Sequence, residues 1–135
     1  MLNNAQTHQA ASTMAAAGLL WLEQQSVRER WNLSQEDMAT LLGGMSKRTV
    51  SNWLDKARSH HQVDVPGDTL ERLSLLLGID KSLALTAPAG HRYEFFSRPN
   101  QAPLFEGESI KEYLLKRQTM LALYRVRRYL DARRG

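Results

Sequence analysis

The spacing of apolar positions divides the chain into short helical units. Residues 1–13 are polar and aperiodic, which predicts a flexible N-terminus. From about residue 14 to 31 apolar positions recur at helical intervals, with Leu19, Leu22 and Trp31 as expected core residues. LSQEDMATLLGG follows. Here Ser34 stands as N-cap with Asp37 behind it, Leu33 and Met38 are placed to form a hydrophobic staple, and Gly43 and Gly44 end the helix. MSKRTVSNWLDKAR repeats the plan, with Ser46 as N-cap and Met45 and Val50 as the staple. Residues 59–67 read as a loop. Asp68 and Glu71 then predict a capping box for the helix TLERLSLLLG, closed by Gly78, with a short further helix over 80–86. Another short helix stops at Pro99, and two helices near 108–116 and 118–134 finish the chain. The sequence holds no strand-length alternation and no internal repeat, so the expected fold class is all-α.

Two short capped helices joined by a glycine turn are the pattern of a helix-turn-helix. The second helix passes a further test. Val50, Trp53, Leu54 and Ala57 fall on one side, at spacings of three and four. Arg48, Ser51, Asn52 and Asp55 fall opposite, with Lys47, Thr49 and Lys56 on the flanks. Arg suits the O6 and N7 of guanine, and Asn suits the N6 and N7 of adenine. Gln35, at the start of the preceding helix, is placed to meet a phosphate. Asp55 runs against this pattern, because a carboxylate on the reading face repels phosphate. The same spacing also fits a plain helical hairpin with a solvated face.

Composition narrows the classes. The 135 residues suffice for one domain, or two small ones sharing a core. There is no cysteine, hence no disulfide framework and no thiolate chemistry. No stretch of about 18 apolar residues is present to span a membrane, and the N-terminus lacks the form of a signal peptide. A cytoplasmic protein is expected. His60 and His61 are adjacent with no carboxylate at ligand spacing, so no metal site is expected. The chain has no glycine-rich phosphate loop, no Ser–His–acid arrangement and no carboxylate pair in an apolar setting. Neither catalysis nor a cofactor is expected, and Trp21, Trp31 and Trp53 read as core or core-edge residues.

The net charge of +4 is unevenly placed. Residues 46–58 carry four Lys/Arg and one acid, residues 62–110 four and seven, and residues 111–135 eight and two. Basic islands of this kind suit a polyanion or an acidic protein surface. In the last helix Leu123, Val126 and Leu130 form an apolar stripe with Thr119, Ala122 and Tyr129, and that stripe stops before Arg133 and Arg134. Such an end can grip nucleic acid, grip a protein, or simply be solvated, since arginines at a helix C-terminus are favoured by about 0.3–1 kcal/mol each.

Resemblance extends this reading. LSQEDMATLLGGMSKRTVSNW is similar to the lambda-repressor and Cro helix-turn-helix, with Gln at the start of the first helix, Ala39 in its middle and a Thr-Val-Ser-x-Trp run in the second. It implies DNA contacts for Gln35, Lys47, Arg48, Thr49, Ser51 and Asn52. One departure is that Gly43 and Gly44 precede Met45, where the usual turn has a single glycine. FFSRPNQAPLFEGESIKEYLL and LYRVRRYLDARRG resemble the toxin-binding domain of Xre/MbcA/ParS-type antitoxins. The matching features are the aromatic-Ser-Arg-Pro-Asn run, Gly107 before a helix, EYLL and the closing VRRYLDARRG; Ile110 and the stretch KRQT stand where that family often has Pro and Gly.

This second resemblance covers roughly residues 18–135. It implies a type II antitoxin whose partner is a RES-domain toxin that destroys NAD. The antitoxin's C-terminal region covers the toxin's active-site cleft, and its helix-turn-helix represses the shared operon. Tyr124, Arg128, Asp131, Arg133, Arg134 and Gly135 are the candidate toxin-binding residues, and a homodimer on operator DNA is expected. The implied organisation is a flexible 1–13, a lambda-repressor/Cro-like helix-turn-helix bundle over 14–78 and a small helical toxin-binding domain over 79–135. Two rivals remain open: a stand-alone repressor whose C-terminal domain only dimerises, and a cofactor-free enzyme using arginines as anion clamps.

Overall fold

The computed structural model describes residues 3–134, and within them every regular element is a helix. The order is α1 (Asn4–Gln25), α2 (Gln35–Leu41), α3 (Lys47–Arg58), α4 (Gly67–Thr86), α5 (Arg92–Ser97), α6 (Ile110–Arg117) and α7 (Met120–Arg133).

α1 begins well before the apolar periodicity does, so residues 4–13 are helical rather than a flexible lead. Polar order replaces burial there. The Gln6 N–H donates to Asn3 Oδ1 and the Asn3 N–H to Gln6 Oε1, both at 2.9 Å, closing a capping box. Further along, the Val63 N–H donates to the buried hydroxyl of Ser12 at 2.8 Å, tying α1 to the loop before α4. At its other end α1 stops at Gln25, and a turn carries the chain to Trp31, whose N–H reaches the Gln25 carbonyl at 2.8 Å.

The short central helices form as their caps dictate. The Asp37 N–H donates to Ser34 Oγ and the Ser34 N–H to Asp37 Oδ2, each at 3.0 Å. Ser46 accepts the Thr49 N–H at 3.1 Å. Between the two helices Gly43 and Gly44 have φ of +123° and +83°, values that a Cβ makes costly.

α4 departs from expectation. Pro66 precedes it and has no side chain to cap with. Asp68 accepts from Arg72 Nε at 2.8 Å and Glu71 accepts from the Tyr124 hydroxyl, so these two acids form no capping box. Gly78 does not close the helix but sits buried in its middle, and residues 80–86 continue it. The boundary expected between 78 and 79 therefore falls inside one unbroken helix.

α4 packs against α1, α5 and α7 and unites the molecule. Trp31, from the turn before α2, stacks on Phe96 of α5 with centroids 4.1 Å apart and planes at 8°. Trp21 meets the same Trp31 edge-on. Trp31 and Phe96 are fully buried, so the head and the C-terminal half share one core. Each such aromatic contributes about 1.5–3 kcal/mol through burial. Phe105, in the loop after α5, packs edge-on against Tyr113 and Tyr129 and fixes α6 and α7 beside that loop. Among the described residues, no helix is long and apolar enough to cross a membrane.

Candidate DNA-binding and partner-binding surfaces

α3 buries Val50, Trp53, Leu54 and Ala57, and the same helical period turns Arg48, Ser51, Asn52 and Asp55 to solvent. Gln35 is exposed at the first position of α2. Gln35, Lys47 and Ser51 line one groove of about 270 Å³, with Glu23 and Arg58 on its wall. Arg48 and Asn52 stand outside that groove, one turn apart on the outer face of α3. Arg48 has no ion-pair partner among the described residues. Thr49 is half-buried, with its hydroxyl 3.0 Å from Ser46 Oγ, so it serves the cap of α3.

The electrostatics answer the objection raised by Asp55. Its carboxylate accepts from Arg58 Nη1 at 3.0 Å, and Arg58 also pairs with Glu23 of α1. Asp55 thus faces outward already paired, and its repulsion toward a phosphate is reduced. Lys47 is paired as well, with its Nζ 3.3 Å from Glu36 Oε1. Both partners are exposed, so this bond is weak and easily exchanged for a phosphate. Glu23, eleven residues before Ser34 in a different helix, carries no sequence signal for this role.

α7 is two-faced. Ala122, Leu123, Val126 and Leu130 are buried, whereas Leu121, Tyr124, Arg125 and Arg128 are exposed. Arg125 and Arg128 meet no carboxylate among the described residues. Tyr124 is 41% exposed, and its hydroxyl donates to Glu71 of α4. The Glu71 carboxylate beside it is the main reason its phenol lies above the ordinary tyrosine value.

Asp131 is engaged within the fold. Ser82 Oγ, fully buried on α4, donates to it at 2.7 Å, and Arg127 Nε donates to both its oxygens at 3.0 and 3.2 Å. The Ser82 hydroxyl first, then Arg127 and Arg134, hold the Asp131 carboxyl below the usual aspartate range. Arg134 lies 3.5 Å from the same carboxylate. Arg133 Nη1 donates to Tyr129 Oη at 2.9 Å and meets no acid among the described residues. Gly135 lies outside the described residues. The candidate partner residues therefore divide: Tyr124 and Arg128 face outward midway along α7, while Asp131 and Arg134 fasten its last turn to α4.

Comparison with known proteins places this geometry. The model of the antitoxin Xre-like helix-turn-helix domain matches residues 10–78, about half of the chain. The uncharacterized protein y4oB of Sinorhizobium fredii (strain NBRC 101917 / NGR234) is 36% identical over 110 residues, spanning 81% of this chain and 79% of that protein. No solved structure matches. The matched segment holds α2, α3 and the glycine turn between them, whose caps and exposed basic face were described above. The chain belongs to the Xre-like helix-turn-helix antitoxin family.

Proposed function

We propose that this chain is the antitoxin of a type II toxin–antitoxin module and represses its own operon. α3 enters the major groove of operator DNA, where Arg48 and Asn52 reach base edges. Gln35, Lys47, Thr49 and Ser51 fix the register, mostly on phosphates. Two copies act as a homodimer on a pseudo-palindrome with half-site centres about 34–36 Å apart, or a multiple of that.

The C-terminal half covers the active-site cleft of an NAD-degrading RES-domain toxin. Tyr124, Arg128, Asp131, Arg133, Arg134 and Gly135 form the contact set, with Tyr124 and Arg128 at its centre. The chain is cytoplasmic, is not an enzyme and uses no cofactor. The observation that carries the toxin half is the outer face of α7, where Tyr124 and Leu121 lie beside two arginines with no acidic partner among the described residues. An aromatic residue flanked by arginines is the composition of an interface centre. Co-purification with the toxin encoded beside this chain, followed by gel shifts on the shared promoter, tests both halves. Failure of the two proteins to co-purify sinks the toxin half and leaves the repressor.

That remaining possibility, a stand-alone repressor, draws on the same exposed Leu121 and Tyr124, which also suit a second copy. It requires full operator binding and a dimer broken by Leu121→Glu, with no partner gene involved.

A further inference from the structure

Arg98 has no part in the function proposed above, yet the fold brings it to Arg133. Arg98 follows α5 and Arg133 belongs to the last turn of α7. Both line one cleft of about 280 Å³, together with Phe95, Pro99, Asn100 and Gln101. Among the described residues, no carboxylate lines it. Aromatic neighbours aim both guanidiniums. Arg98 Cζ lies 4.0 Å from the centroid of Phe95, and Arg133 Cζ lies 5.6 Å from that of Tyr129, whose hydroxyl also accepts from Arg133 Nη1. Asn100 Oδ1 accepts the Ala102 N–H at 2.9 Å, leaving its amide NH₂ free to donate.

Elsewhere in the molecule Arg58, Arg72, Arg117 and Arg127 each meet a carboxylate. Arg98 and Arg133 meet none among the described residues. Two guanidiniums on one cleft repel each other until an anion lies between them. Two planar forks and an amide match the in-plane lone pairs of a carboxylate. The volume is below the roughly 300–1,000 Å³ of sites for drug-sized ligands, so it suits one side chain rather than a nucleotide. Its position also separates it from DNA. α3 packs on α1 and α2, whereas the cleft is built by α5, the loop after it and the end of α7.

We infer that the Arg98–Arg133 cleft is a carboxylate-binding site, which takes an aspartate or glutamate side chain from a protein partner. The inference rests on the reading above only for the existence of that partner. It adds a second contact, on the loop after α5, to the one made by the outer face of α7.

The test is a titration of the ¹⁵N-labelled full chain with an acetylated tetraglutamate peptide. Tetraglutamine and inorganic phosphate are titrated in parallel at fixed ionic strength. The Nε–Hε signals of Arg98 and Arg133 and the side-chain amide of Asn100 should shift with tetraglutamate and not with tetraglutamine. Arg98→Gln and Arg133→Gln should each weaken the peptide at least roughly tenfold, and Arg98→Lys by less, because it keeps the charge and loses the fork. Arg28→Gln, an exposed position on the turn after α1, should leave it unchanged. If one Gln variant fails to melt as the wild type does, the other carries the same expectation. Absence of those shifts, equal binding by both Gln variants, or tighter binding of phosphate than of tetraglutamate overturns the site. Because no toxin is present, such a failure concerns the cleft alone, while failure of the toxin reading is seen in neutralisation.

Discussion

The guanidinium of Arg127, on α7, occupies the space in which a side chain at Gly78, on α4, would begin. Glycine at this point is what lets the arginine lie between the two helices. The opposing effects can be weighed. Gly78→Ala gains about 1 kcal/mol of helix propensity and displaces the flexible end of Arg127 from Asp131, an exposed pair worth at most about 1 kcal/mol. It should be close to neutral in urea unfolding. Gly78→Leu cannot be met by moving one guanidinium and should cost about 1–3 kcal/mol. A Leu variant as stable as the wild type would show that α4 and α7 do not approach as described.

Asp131 should make the protein acid-sensitive. Its carboxyl is held below the ordinary value by Ser82, then by Arg127 and Arg134. A depressed carboxylate contributes stability above its unfolded value and loses it as pH falls through the folded one. Asp131→Asn should therefore be less stable than the wild type at pH 7, and the two should converge as pH drops below roughly 4. Equilibrium unfolding across that range reads this directly. A constant gap would mean that Asp131 acts through packing alone.

Asp80 should show the opposite sign. Burial raises its carboxyl above the ordinary value, and this outweighs the attraction of Arg92 and Arg30. As pH climbs past the unfolded value, the unfolded chain releases that proton more readily and stability falls. Asp80→Asn should be the more stable protein at pH 7 and lose its advantage as pH falls toward roughly 4. A loss of stability at neutral pH would show that the arginines outweigh burial.

On DNA, Arg48→Ala should relax specificity at one base pair and cost about 1–3 kcal/mol there. Lys47→Ala should weaken all sequences alike and flatten the salt dependence. Glu36→Gln should do the reverse of Lys47→Ala, since it frees Lys47 from its carboxylate. Gel shifts at two salt concentrations separate these outcomes. If none of the three variants differs from the wild type, α3 is not in the groove.

Much of the head was legible because local signals and burial agree there. Ser34, Ser46, the glycine turn and the stripe Val50–Trp53–Leu54–Ala57 all lie where the pattern puts them. The start of α1 was not legible, because residues 4–10 are exposed and leave no apolar trace, and a hydrogen bond from Val63 to Ser12 is a long-range fact. Gly78 misled for a related reason. A glycine after an apolar run signals a helix end, and only the partner helix reveals that it makes room for Arg127. The stretch KRQT, where the resemblance leads one to expect a glycine, turns without one because Gln118 itself takes φ of +58°. Asp131 lies beyond the apolar stripe, and nothing near it in the sequence signals that Ser82, 49 residues earlier, holds its carboxylate.

The most direct measurement is the NAD content of cells in which the proposed partner, a RES-domain toxin encoded beside this chain, is induced with and without this chain. NAD should hold near its uninduced level with the wild-type chain. It should fall with Tyr124→Ala/Arg128→Glu, provided that the variant melts as the wild type does. Loss of NAD despite stoichiometric wild-type chain would contradict the assignment as the antitoxin of such a toxin, and full protection by the double variant would remove the outer face of α7 from the interface.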